Sequence, residues 1–212
     1  MPVAGCWADN RAAPPVAMAK SMIQRGGNRT AGCWAGEAHG ASRRFGGWLV
    51  IWYIPLAVES GRHIEAAKAF LVLDMTDEAL EELSLASAGH GNDPEVLGLK
   101  AAILMRRKDW TAALRILEFL CRALPFSGDQ FLHAAFCLHE LKRTGDARQK
   151  LLSGPSNLRK NPLFHYNLAC YEAQLGDLDA SRLSLERAVL LDESFKAIAL
   201  KDEDLAPLGL RP

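Results

Sequence analysis

The chain has 212 residues, 49% hydrophobic and 24% charged, and its 25 Lys/Arg balance its 25 Asp/Glu. This composition suits a globular domain with a tail and argues against both a disordered chain and a membrane bundle. Zero net charge removes the concentrated basic footprint that nucleic-acid recognition needs, so no nucleic-acid partner is expected.

Residues 1–45 are rich in Gly, Ala, Arg and Ser and their apolar residues follow no period. They read as part of a flexible, mostly irregular amino-terminal tail covering 1–58. Residues 1–60 carry six Lys/Arg against three Asp/Glu and the remainder 19 against 22, an asymmetry too small to choose a partner. Gly5-Cys6-Trp7-Ala8-Asp9 and Gly32-Cys33-Trp34-Ala35-Gly36 share four residues. This weak duplication is read as low complexity or as an early start; Met18, Met22 or an unusual start near Val58 would each give a more compact protein.

The apolar run 48–57, WLVIWYIPLA, follows Arg43, Arg44, Gly46 and Gly47. It contains Pro55, lacks a convincing cleavage site, and falls far short of the ~20 residues that span a bilayer. No membrane span is expected. The run is read as a buried strand or extended segment packed on the repeats, with an amino-terminal helix or a mistranslated region as the alternatives. Left exposed, its aromatic and aliphatic side chains would promote association.

From 59 to 208 the sequence turns helical. A first pair of helices is expected near 63–73 and 77–88, with Thr76-Asp77-Glu78 supplying a cap and acids at a helix start. A second pair covers 94–107 and 110–123, stopped at Leu124-Pro125. A third begins near Ser127-Gly128-Asp129, with its second helix at 144–152. Ser153-Gly154-Pro155-Ser156-Asn157 breaks that helix early and makes the looser link. The fourth pair, 162–192, turns at Gly176-Asp177. Its apolar residues recur every three or four positions: Phe164, Leu168, Tyr171 and Leu175, then Leu178, Leu185, Ala188 and Leu191.

These pairs share a period. Ala169 is preceded at steps of 34 by Ala135, Ala101 and Ala67, Leu185 by Leu151, Leu117 and Leu83, and Ser181 by Ala147, Ala113 and Ala79. Small residues let helices approach closely, and the leucines fill the space between repeats. Together with Asn167-Leu168-Ala169, Gly176-Asp177, Trp110, Pro125 and Asp192, the columns resemble the tetratricopeptide repeat family, whose unit is a 34-residue helix–turn–helix. The resemblance covers about 61–192 and implies an all-α solenoid of four repeats, about 61–93, 94–127, 128–161 and 162–192. The segment 193–208 reads as the closing cap found in some bacterial members. In it Phe195, Ile198 and Leu200 would face the stack, and Lys196, Lys201, Asp202 and Glu203 the water. Leu205 and Leu208 could instead be a docking motif.

No catalytic, cofactor or metal pattern appears. His133 and His139 are six apart and project to different helix faces, no CxxC or HExxH occurs, and nucleotide-binding glycine loops are missing. The five cysteines read as reduced thiols, and a cytoplasmic location follows from them. The chain is therefore read as a non-enzyme. The resemblance further implies that the first helix of each repeat lines a concave groove for a peptide or helix. Repeat phase assigns to it Ile64, Lys68 and Leu71, then Gly98, Ala102, Met105 and Arg106, then Leu132, Phe136, His139 and Glu140, then Tyr166, Cys170 and Gln174. Phe136 and Tyr166 would anchor, while Arg106, His139 and Glu140 fix register. The cations Lys68 and Arg106 do not reproduce the carboxylate clamp of some relatives. The expected role is a protein–protein interaction adaptor. The alternative is a secretion- or assembly-type chaperone holding an apolar client segment, which predicts a homodimer.

Overall fold

A computed structural model describes residues 49–86 and 92–210, with side chains described from Ser60 onward. The tail before Leu49, with Trp48, Cys6 and Cys33, lies outside the described residues. The helices are α1 (Leu49–Val72), α2 (Thr76–Ala86), α3 (Pro94–Arg106), α4 (Trp110–Ala123), α5 (Gly128–Glu140), α6 (Thr144–Leu152), α7 (Pro162–Gln174), α8 (Leu178–Leu191) and α9 (Ser194–Ala199). Two 3₁₀ helices, Ser156–Lys160 and Glu203–Leu208, complete the described residues, which contain no strand. They fall into two compact units that divide within α3, between Ile103 and Leu104.

The 34-residue columns are the seams. Ala67, Ala101, Ala135 and Ala169 are all 0% exposed, as are Ala79, Ala113, Ala147 and Ser181. Leu83, Leu117 and Leu151 are at most 2% exposed and Leu185 is 8%. Ser181 keeps its place in the small column by donating its hydroxyl to the Ala169 carbonyl at 2.7 Å, so burial strands no polar group.

The turns inside the repeats also recur at the 34-residue step. Asp74, Lys108, Lys142 and Gly176 hold φ of 62°, 60°, 63° and 85°. Each ends the first helix of its repeat in the left-handed conformation. The next amide then reaches back five residues: Met75 to the Phe70 carbonyl, Asp109 to Leu104, Arg143 to Leu138 and Asp177 to Glu172, at 2.9–3.0 Å. Asp109 and Asp177 then cap α4 and α8 by accepting from Ala112 and Ala180 at 3.1 Å.

Three expectations change. The first helix of the first repeat does not begin near residue 63. It runs unbroken from Leu49 through Pro55, taking in nearly all of the apolar run 48–57. Whether those side chains pack on the repeats lies outside the described residues. The 153–157 break is built in rather than loose. It leads into the first 3₁₀ helix, whose Leu158 is 4% exposed between two glycines. A Cβ on Gly128 would meet Leu158 Cδ1 at 2.9 Å, and one on Gly154 would meet Leu158 Cδ2 at 2.8 Å. In the closing segment, Leu200 is 40% exposed rather than facing the stack.

Candidate partner-binding surface

The fourteen residues expected to line a groove separate between the two units, five in the amino-terminal and nine in the carboxy-terminal. In the amino-terminal unit Leu71 is 1% exposed and packs with Ala67, Leu83, Val96 and Ile103, so it is core and offers no lining. Lys68 is no free cation: its Nζ lies 2.7 Å from both Glu65 and Glu95 carboxylates. Burial pulls its pKa down, but the bonds to those two acids outweigh this and leave it raised.

The nine from Met105 onward lie in the carboxy-terminal unit. Arg106 and Glu140 are half-buried, and burial holds the Glu140 carboxyl above its ordinary value. Met105 and Leu132 are buried. The expected anchors are engaged by the chain itself. Phe136 is 4% exposed and meets Trp110 edge-on, with centroids 5.5 Å apart. Tyr166 is 2% exposed and lies against Phe195 at 4.8 Å.

The segment 202–208 brings His139, Tyr166, Cys170 and Gln174 together. His139 Nε2 is 2.9 Å from Asp204 Oδ2, and both groups are buried. Its Nδ1 meets Thr144 Oγ1 at 3.1 Å at the start of α6. Tyr166 donates its hydroxyl to Asp202 Oδ2 at 2.5 Å, and Gln174 Nε2 donates to the Asp204 carbonyl at 3.0 Å. Leu205 and Leu208 are buried, 1% and 6% exposed. The segment expected to close the last apolar face thus lies across α7 and reaches His139 on α5. These are residues that repeat phase assigned to the groove. Asp202 and Asp204 are the contact residues on this face that the sequence reading missed: Asp202, expected in water, is half-buried, and Asp204 is 4% exposed. The only available signal was their spacing from Leu205 and Leu208.

The thiol of Cys170 and the carboxylates of Asp202 and Asp204 lie within 4.8 Å of one another. A divalent ion accepts such donors, but each carboxylate already has a protein partner, His139 on Asp204 and Tyr166 on Asp202. The thiols of Cys121 and Cys137 are pushed up by burial to about 11 and about 12, which makes them packing groups rather than nucleophiles. His63 pairs with Glu82 at 2.6 Å beside an open crevice of about 690 Å³. Its described lining holds no Ser, Thr or Cys. His133 on α5 is 3% exposed, and its Nδ1 lacks a hydrogen-bond partner among the described residues.

No family model matches the chain, and no curated protein matches it. Among solved structures, one titled "MamA RS-1 ArsTM double mutant" superposes with a TM-score of 0.58 at 15% identity, covering 69% of this chain and 82% of that one. None of the described helices is long and apolar enough to cross a membrane. At that identity the likeness speaks to the fold alone: the described residues form an all-α helical-repeat fold that resembles a tetratricopeptide-like one.

Proposed function

We propose that the chain is a non-enzymatic protein-interaction scaffold that holds a segment of a partner protein against the first helices of its carboxy-terminal repeats. One observation supports this reading most directly. The face of α7, with His139 of α5, holds a short non-repeat segment by side-chain donors, a main-chain hydrogen bond and two buried leucines. Those contact types give peptide recognition its affinity and its specificity. The three described cysteines are free, which suits a reducing compartment such as the cytoplasm.

The test is site-specific photo-crosslinking in cells, with a photoreactive residue at Gln174 or Glu140 and a comparison at Leu183, which is 68% exposed on α8. A discrete adduct from Gln174 or Glu140 and none from Leu183 is the expected result. Adducts from Leu183 alone, or from no position, would reject this face as the partner site.

A further inference from the structure

We infer that residues 202–208 act as a displaceable in-cis ligand, and that the partner carries the same chemistry: an Asp-x-Asp-Leu-x-x-Leu stretch in an extended or 3₁₀ conformation. This rests on the reading of the α7 face as the partner site. Every contact falls on a pattern residue, and the intervening Glu203, Ala206 and Pro207 are exposed. Asp202 is read by the Tyr166 hydroxyl, Asp204 by His139, and the main chain by Gln174. Leu205 and Leu208 fill the apolar places.

Two features separate such a ligand from a lid kept only for stability. The first is chemical. A buried His–Asp pair costs desolvation that an apolar contact of the same volume avoids, so the pair supplies discrimination more than stability. A closing segment chosen for stability alone gains more from leucines throughout. The second is local independence. The segment sets its own shape, with the Asp202 side chain accepting from the Asp204 amide at 3.0 Å and Gly209 ending it at φ 63°. Lifting it away breaks none of the Ala169–Ser181 seam between α7 and α8. A tethered segment is present at a local concentration on the order of millimolar, so the intact chain masks the site from weaker competitors.

The experiment uses the full chain and a fluorescent peptide of residues 201–210, Lys-Asp-Glu-Asp-Leu-Ala-Pro-Leu-Gly-Leu, followed by anisotropy. The Leu205→Ala/Leu208→Ala chain, which loosens the internal copy, should bind this peptide at least tenfold more tightly than the wild type. A peptide altered by Asp204→Asn and Leu205→Ala should not bind. A variant of wild-type helicity that fails to bind the native peptide overturns the proposal, as does equal binding of both peptides. If the variant loses helix, hydrogen exchange on the wild type decides the matter. Faster exchange of the Leu205 and Gly209 amides under millimolar peptide supports displacement, and unchanged exchange rejects it. A crosslink at Gln174 together with failure here would keep the face and discard the Asp-Leu chemistry.

Discussion

The two sides of α7 obey different rules. Toward α8 it presents Ala169, 0% exposed, and that side is the same residue in every repeat. Toward 202–208 it presents Tyr166, Cys170 and Gln174, whose counterparts one repeat earlier are Leu132, Phe136 and Glu140. The seam is specified by volume, because close helix approach tolerates only a small side chain. The face is specified by donors and acceptors matched to one segment. Stability therefore resides mainly in the periodic side and discrimination in the aperiodic one, and the two can be perturbed separately.

The largest expected effect is on the seam. Leu117→Ala removes a 0% exposed side chain and should cost about 3–4 kcal/mol. It should lower the urea midpoint in the transition that reports helix loss. A cost below about 1 kcal/mol, from the same principle, would mean that the seam collapses around the gap and that the periodic side is not where stability lies.

Next in size is a pH response that the seam columns cannot give, because Ala, Leu and Ser do not titrate in the acid range. Burial holds His133 down to about 4 from 6.5, with the Asp129 charge opposing it. The unfolded chain takes up this proton at higher pH than the folded one. The stability is therefore complete above pH 6.5 and is lost as pH falls toward 4, by about 3 kcal/mol at the limit. Urea midpoints at pH 7 and pH 4.5 measure it, and His133→Leu should flatten the difference. An unchanged slope in that variant would place the acid sensitivity elsewhere.

What was legible in the sequence follows the same division. The Ala and Leu columns could be read because a volume constraint leaves one residue type at each step. The left-handed turns at Asp74, Lys108 and Lys142 could not, because only Gly176 carries the residue that favours that conformation. Asp202 was assigned to water because an acid is exposed by default. What places Asp204 is His139, 65 residues earlier, a pairing that no local pattern encodes. Leu158 was hidden in a turn-rich stretch because the glycines that receive it, Gly128 and Gly154, are themselves turn signals. Phe136 and Tyr166 were assigned to the right helices, but nothing local announces Trp110 and Phe195 as their partners.

Tyr166→Phe sharpens the comparison at smaller scale. It deletes the hydroxyl donated to Asp202 and leaves the ring against Phe195. The loss is about 1.5–3 kcal/mol, the range for a hydrogen bond to a charged group. If the closing segment opens on its own, the Leu205 and Gly209 amides should exchange faster while those of α7 and α8 keep their protection. Equal acceleration throughout would make the segment part of the last repeat's cooperative unit.

The smallest expected effect, and the one of opposite sign, is Lys142→Gly. Lys142 sits at φ 63° in the turn that Gly176 makes at φ 85° one repeat later. A left-handed residue with a Cβ carries about 1–2 kcal/mol of strain. Glycine removes it but loses more freedom on folding, by roughly 0.5–1 kcal/mol. The balance is a gain of about 0.5–1 kcal/mol, or a rise of a few degrees in Tm. Lys142 is exposed and its amide bonds to the His139 carbonyl at 2.8 Å, a bond that glycine keeps. No packing changes with the substitution, so the rise would be a backbone effect. A fall in Tm would instead show that the Lys142 side chain contributes on the surface beside His139 more than its strained backbone costs.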